Sequence, residues 1–292
     1  MQPVSNALFT LTPSATAALD AHVPALLAAP LDPAKIAAAL GASDVETVLR
    51  TGSTNTDLLG RFRENAPQRP LVYAALEQNA GRGRHGRVWQ AMPGSALLFS
   101  VAVPLADSRA VDSAMALACG LAVAEALAPH AAVQLKWPND LLLQGRKLGG
   151  VLCELALDGA GRRTLIAGIG INLTLAPGLR TAISQPAVSL DERVATEELA
   201  VQRESLIGHI AASVIATVGE FDQRGFAPLR ARFLARFALL GCEVELLEGG
   251  RRVAGGVAVD IDSAGRIMLL TETGTRSFAG GELSLRAAAR DG

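Results

Sequence analysis

The chain has 292 residues, of which 50% are hydrophobic and 19% are charged, and its formal net charge is −1. A chain of this length buries a large core, and its size predicts one large domain with a smaller one. It has neither the run of about eighteen apolar residues that a transmembrane helix needs nor the basic start of a signal peptide, so we expect a cytoplasmic protein that does not enter membranes. The near-neutral charge argues against a broadly basic surface for nucleic acid.

The numbers and positions of the cysteines and lysines indicate which kinds of functional site the chain can contain. The three cysteines are odd in number and scattered among apolar residues, which predicts reduced thiols and no metal site. Twenty-four arginines accompany only three lysines, Lys35, Lys136 and Lys147. Where such a chain uses lysine, a specific need for a compact ammonium is indicated.

Residues 1–45 predict an N-terminal helical leader. The segment is rich in alanine and interrupted by proline, and its last short helix should be capped by Asp32 and opened by Pro33. The leader is too short for a winged helix-turn-helix, so we expect no specific DNA binding.

Residues 46–236 predict an α/β domain, because apolar runs of strand length alternate with helical spacing. Strands are expected at 46–50, 71–78, 95–105, 133–157 (several, joined by tight turns) and 164–175, and helices at 57–66, 111–130 and 199–225. From residue 237 to 292 the hydrophobic period changes to two, and glycine-containing turns separate four or five short strands. This tail predicts a separate small β-barrel.

A glycine-arginine loop, residues 81–87, contains the pattern G-x-G-x-x-G. The dinucleotide-binding fingerprint of that form needs a helix directly after it, whereas here a strand-like segment follows. The glycines instead allow backbone N–H groups to converge on an anion, with Arg82, Arg84 and Arg87 as charged donors. A solvated basic turn is the alternative, but the position between two apolar strands favours a binding loop.

Two of the three lysines lie close together in sequence, at Lys136 in KWPND and at Lys147 before two glycines. A compact ammonium can lie between two anions that must react with each other, such as a carboxylate and a phosphate, and it then stabilises the charge that develops. The carboxylate is already ionised at neutral pH, so no general base is required. The alternative for KWPND is an ordinary turn, and the alternative for Lys147 is an exposed lysine at the start of a strand.

Ser53-Thr54-Asn55 stands between a strand and a helix. Its hydroxyls and amide suit the reading of a small polar ring, but the same residues are equally typical of a helix N-cap, and Thr54 with Asp57 loosely fits a capping box.

Taken in order, TGSTNTDLL, EQNAGRGRHGRVW, LKWPNDLLL, RKLGGVLCEL, AGIGINL and AGGELSLR resemble the biotin protein ligase family, in its form without an N-terminal DNA-binding domain. The resemblance implies a mixed-sheet, biotin/lipoate ligase-like α/β (α+β) catalytic domain followed by an SH3-like β-barrel. It also implies that ATP and Mg²⁺ convert biotin to biotinyl-5'-AMP. The biotin then passes to a lysine of a biotin carboxyl carrier domain, with the enzyme a monomer or homodimer.

The resemblance assigns roles residue by residue. It makes Lys147 and Arg84 catalytic. The positions matched to biotin binding are Ser53, Thr54, Asn55, Gln78, Arg82, Gly83, Arg84 and Lys147. The positions matched to ATP or adenylate are Arg82, Arg84, Arg87, Trp89, Asn139, Asp140, Lys147 and Asn172. Two alternatives stay open. The first is a lipoate or octanoate ligase, which the glycine-arginine loop and the closing GGELSLR disfavour. The second is a biotin-responsive regulator, which the short leader disfavours.

Overall fold

The computed structural model describes residues 25–40, 43–106, 113–176, 185–281 and 283–288, so the first part of the predicted leader lies outside it. The α-helices in these ranges are α1 (Pro33–Ala37), α2 (Thr54–Glu64), α3 (Ser113–Ala126), α4 (Thr196–Arg224) and α5 (Ala227–Leu234). Helix α1 begins as predicted, because Pro33 opens it and the Asp32 carboxylate accepts the Ala34 N–H at 2.9 Å. Helix α5 was not predicted.

The first sheet is mixed and has seven strands in the order β1-β2-β3-β7-β6-β5-β4. Among the strands that the structure describes in this sheet, only β1 and β2 pair in parallel, because helix α2 connects them, and the other neighbours are antiparallel. The strands are β1 (Asp44–Thr51), β2 (Leu71–Gln78), β3 (Ala96–Leu105), β4 (Gln134–Lys136), β5 (Asp140–Leu143), β6 (Arg146–Leu157) and β7 (Arg163–Asn172). The predicted strands are all present, and β7 ends three residues earlier than expected.

Helices cover both faces of this sheet. Phe99 and Val101 of β3 face a core formed with α3 and α4, whereas Ala102 faces a smaller cluster that includes Leu58 and Phe62 of α2. The alternation follows from the two-residue period of a strand. Burial on both faces explains why β3 is an almost continuous apolar run.

The second sheet is antiparallel and has five strands in the order β11-β10-β9-β8-β12. They are β8 (Glu243–Glu248), β9 (Arg251–Ile261), β10 (Ile267–Thr271), β11 (Gly274–Phe278) and β12 (Leu283–Ala287). The predicted α/β fold with a separate all-β tail is therefore confirmed, while the domain boundary at residue 236/237 stays a prediction.

The segment before α1 is attached to α4 by a buried arginine. The Arg203 guanidinium donates to the carbonyls of Leu27 at 2.5 Å, Ala29 at 2.8 Å and Pro30 at 3.0 Å, and pairs with Glu204 at 3.1 Å. These partners offset the desolvation of a charge that lies inside the protein. Residues 27–30 are thus part of the packed structure.

The five-stranded sheet is attached to the first one through Trp137. This side chain is fully buried, and its indole N–H donates to the carbonyl of Gly265, in the β9–β10 turn, at 3.0 Å. Gly265 also packs directly against helix α3, where a Cβ atom would lie 2.5 Å from the Cα of Ala114. The tryptophan of KWPND therefore connects the two sheets.

Trp137→Phe is expected to lower the free energy of unfolding by about 1–3 kcal/mol, because the buried Gly265 carbonyl would lose its donor. Trp89→Phe is the matched control, since the buried indole N–H of Trp89 has no hydrogen-bond partner among the described residues. Urea unfolding of both variants measures the difference. Equal losses in the two would mean that the indole hydrogen bond contributes nothing.

Candidate functional site

A cavity of about 420 Å³ opens over the sheet where β2, β6 and β7 approach the glycine-arginine loop. Its size is in the range of small-ligand sites. Every residue that the sequence singled out lines it: Ser53, Thr54, Asn55, Gln78, Arg82, Gly83, Arg84, Arg87, Trp89, Asn139, Asp140, Lys147 and Asn172. Five separate motifs thus meet in one place, although proximity alone assigns no role to any of them.

One end of the cavity is formed by the N-terminus of α2. Ser53 is the N-cap and accepts the Thr56 N–H at 3.4 Å, so the capping box suggested for Thr54 and Asp57 is wrong. Asp57 instead accepts a hydrogen bond from the Thr51 hydroxyl. The Thr54 N–H donates to the Gln78 side-chain carbonyl at 2.7 Å, which fixes the orientation of that amide.

Behind this end runs a chain of buried hydrogen bonds. The Ser100 hydroxyl lies 2.7 Å from that of Thr54 and donates to the Asn55 side-chain carbonyl at 2.6 Å. The Asn55 NH₂ then donates to the Leu152 carbonyl at 3.1 Å and to the Glu154 carboxylate at 2.8 Å. Both acceptors are oxygens, so the orientation of the Asn55 amide is determined.

The glycine-arginine loop is a small hairpin. The backbone N–H of Trp89 donates to the Gly81 carbonyl at 2.9 Å, and the backbone N–H of Gly83 donates to the Arg87 carbonyl at 2.7 Å, around a 3-10 turn at Arg84–Gly86. The next regular element is strand β3, so the rejection of the dinucleotide-binding interpretation is confirmed. His85 has a φ of 57°, a left-handed conformation that turns the chain back toward Arg87.

Two arginines hold this hairpin from opposite sides. The Arg82 guanidinium binds the Glu154 carboxylate of β6, with one contact at 2.6 Å. The Arg84 guanidinium donates to the carbonyls of Gly280, at 2.6 Å, and Gly281, in the turn before β12. The last segment of the chain is therefore part of the site.

The two lysines share one carboxylate. Lys147 Nζ lies 2.6 Å from Asp140 Oδ1, and Lys136 Nζ lies 3.1 Å from Asp140 Oδ2. Burial by itself raises the pKa of Asp140, but the two ammonium groups outweigh it and hold the pKa below its ordinary value. Asp140 is therefore ionised at neutral pH, and the lysines are held at the cavity wall.

Trp89 packs flat against the sheet. A Cβ atom on Gly170 would lie 2.8 Å from its ring, so glycine is required there. The side-chain amides of Asn139 and Asn172 donate to the carbonyls of Val151 at 2.8 Å and Val188 at 3.0 Å. These two asparagines hold the backbone of the cavity wall, and the nucleotide contacts expected of them stay a prediction.

The cavity is strongly positive although the chain as a whole is nearly neutral. Of the described residues that line it, six are arginine or lysine and one, Asp140, is acidic. They include Arg286 of β12, which was not predicted. Ser100 and Glu154 were also missed, although each is a polar residue within an apolar strand. Charge of this kind suits an anionic substrate.

Among the described residues, no group of three or more His, Cys, Asp or Glu is arranged to hold a metal ion. In the same part of the chain, no helix combines the length and the apolar character needed to cross a membrane.

Comparison with known proteins identifies the family. Residues 48–172 match the model of the Biotin/lipoate A/B protein ligase family, and residues 239–286 match the biotin protein ligase C-terminal domain. The biotin–[acetyl-CoA-carboxylase] ligase of Mycobacterium tuberculosis is 37% identical over 242 residues, which cover 80% of this chain and 86% of that protein. The chain belongs to the biotin protein ligase family.

Two further relatives extend this comparison. The bifunctional ligase/repressor BirA of Escherichia coli is 32% identical, over 81% of this chain and 72% of its own length. The biotin protein ligase of Aquifex aeolicus, solved with biotin and ATP, superimposes with a TM-score of 0.67 at 27% identity, covering 84% of this chain and 99% of that one. The family predicted from the six motifs is confirmed.

Proposed function

We propose that this biotin protein ligase family member activates biotin with ATP to biotinyl-5'-AMP and transfers the biotin to a lysine of a carboxylase carrier domain. The observation that carries the proposal is the convergence of six cationic side chains on one cavity that also has a neutral polar end. A ligand with a neutral ring and a carboxylate tail needs the neutral polar end, and a nucleoside triphosphate needs the cationic side chains. Biotin, ATP and the carboxylase are proposed as substrates because they appear in the names of the relatives.

In the first step, an oxygen of the biotin carboxylate attacks the α-phosphorus of ATP, and the bond to the β-phosphate breaks to release pyrophosphate. Two anions must approach each other, and the Lys147 ammonium is the group we place between them. Asp140 and Lys136 orient it through the shared carboxylate. The neutral end, formed by Thr54, Asn55 and Gln78, is proposed to receive the ureido ring.

In the second step, the amine of the carrier lysine attacks the acyl carbon of the intermediate and AMP leaves. The glycine-arginine loop, held between β6 and the C-terminal segment, is proposed to keep water from the acyl phosphate until the carrier arrives. We propose that the enzyme works as a monomer or a homodimer.

Mg²⁺ is proposed to enter with ATP. Both oxygens of Asp140 are paired with lysines, and the described residues offer no carboxylate cage. The ion would neutralise phosphate charge, with phosphate oxygens and water as most of its ligands. Since ATP is required, we propose that the protein works in the cytoplasm.

ATP-dependent incorporation of labelled biotin into a purified carrier domain tests the proposal. We expect incorporation that requires biotin, ATP and the carrier lysine, and that lipoate or octanoate does not inhibit. Lipoate ligation is not favoured, because residues 239–286 match the C-terminal domain of biotin ligases. Incorporation of lipoate in place of biotin, or no incorporation of either, would refute the assignment.

A further inference from the structure

Glu154 stands out because it is a charged residue in the apolar strand β6 to which the motif RKLGGVLCEL gives no role. It lies behind the cavity wall, and its side chain is 24% exposed. One of its neighbours in the site is Asn55, at the neutral end of the cavity. The other is Arg82, the first arginine of the glycine-arginine loop.

We propose that Glu154 is a positioning residue that couples the neutral end of the cavity to the glycine-arginine loop. Its carboxylate accepts the Asn55 NH₂ at 2.8 Å and the Arg82 guanidinium at 2.6 Å, so both are attached to the same group. Both donors bind the same oxygen, Oε2, so a shift of the carboxylate alters the two hydrogen bonds together. This inference rests on the proposed function, because it assigns the neutral end to the biotin ring.

The direction of the hydrogen bonds supports this role. Ser100 donates to the Asn55 carbonyl, and the Asn55 NH₂ donates onward to Glu154, so the chain ends at a negative charge. Hydrogen bonds that run in one direction toward a charge polarise and strengthen each other. Glu154, together with the Leu152 carbonyl, therefore sets which atoms the Asn55 amide turns toward a ligand.

Only a carboxylate satisfies both neighbours. The Asn55 NH₂ and the Arg82 guanidinium are both donors, and a carboxylate presents acceptors alone. A glutamine side chain has the same shape, but its NH₂ would face one of these donors in either orientation. Glu154→Gln is therefore a nearly isosteric test of the coupling.

The first experiment measures biotin binding to the full chain by calorimetry. We expect Glu154→Gln to raise the Kd for biotin about ten- to a hundredfold, the range produced by losing a hydrogen bond to a charged group. Glu125→Gln is the matched control, because Glu125 also pairs with an arginine, Arg232, but lies on helix α3 outside the cavity. A parent-like Kd for Glu154→Gln would overturn the inference.

The second experiment distinguishes positioning from a general loss of structure. Arg82→Met should weaken binding in the parent but change it far less in the Glu154→Gln background, because the coupling is already lost there. Losses that simply multiply would overturn the inference. If Glu154→Gln does not fold, Glu154→Asp keeps the charge but shortens the reach by one methylene, and its Kd should also rise. A parent-like Kd for Glu154→Asp would overturn the inference.

The parent protein separates this inference from the proposed function. If the parent does not bind biotin, the proposed function itself fails and the coupling fails with it. If the parent binds biotin and Glu154→Gln binds it equally well, the proposed function stands and only the role of Glu154 is wrong.

Discussion

Lys147→Met is expected to lower the rate of adenylate formation about a hundred- to a thousandfold, the effect commonly seen when one contact to transition-state charge is lost. The ammonium is poised at the cavity wall, 2.6 Å from Asp140, and its side chain is only 21% exposed. Methionine has roughly the same volume but no charge. The approach of the biotin carboxylate to the α-phosphate would then lack its compensating cation.

The fold should tolerate this change. Asp140 keeps Lys136 as a partner at 3.1 Å, so the substitution leaves no buried carboxylate without a cation. We therefore expect nearly unchanged unfolding in urea. Lys147→Arg should restore activity only in part, because the planar guanidinium is larger than an ammonium and cannot place its charge at the same point.

Biotin-dependent exchange of labelled pyrophosphate into ATP measures the first step, and transfer from added biotinyl-adenylate measures the second. Lys35→Met is the control, because Lys35 is exposed on α1 and is the remaining lysine of the chain. Near-normal exchange by Lys147→Met would eliminate Lys147 as the activating residue. Attention would then move to Lys136, which shares the same carboxylate.

The elements of the first sheet were predictable because their hydrophobic patterns are local. Strand β2 occupies the predicted residues 71–78, and the turns around KWPND separate β4 and β5 as expected. Helix α5 was missed because its eight residues, APLRARFL, carry only two buried positions, Leu229 and Phe233. Two apolar residues do not establish a helical period.

The site was predictable as a set of motifs but not as a network. No local pattern indicates that Arg84 reaches the carbonyl of Gly280, which is 196 residues away, since that contact depends on how the C-terminal sheet docks. Ser100 and Glu154 did leave a signal, namely a polar residue inside a buried strand. That both bind Asn55 could be seen only in three dimensions.

The Arg84 contacts suggest a different physical reason for the effect that we expect from replacing this residue, namely faster release of biotinyl-adenylate. By resemblance, the guanidinium holds the adenylate directly, whereas the structure places it on the carbonyls of Gly280 and Gly281. In this position it ties the hairpin to the segment before β12. Loss of the tie would free the loop from the C-terminal side, while Arg82 and Glu154 would still hold it from the sheet.

Arg84→Gly is accordingly expected to raise the dissociation rate of biotinyl-adenylate about ten- to a hundredfold, as the loss of hydrogen bonds from a charged donor predicts. Initial biotin binding should change less, because the neutral end of the cavity stays intact. Escaping intermediate should acylate lysines of bystander proteins. A chase of labelled adenylate and the labelling of added albumin measure the two consequences.

Further variants distinguish the loss of the Arg84 hydrogen bonds from the backbone flexibility that a glycine adds. Arg84→Met removes the guanidinium without adding the flexibility of glycine, so it should also release the intermediate faster if the contact with Gly280 matters. Arg87→Gly adds the same flexibility at an exposed arginine of the loop, where φ is −63° and glycine is not required, and Arg87→Met shows how much of its effect comes from the lost cavity charge alone. Retention of the adenylate by Arg84→Met, with release by both glycine variants, would show that loop stiffness protects the intermediate and that the Arg84 tie does not.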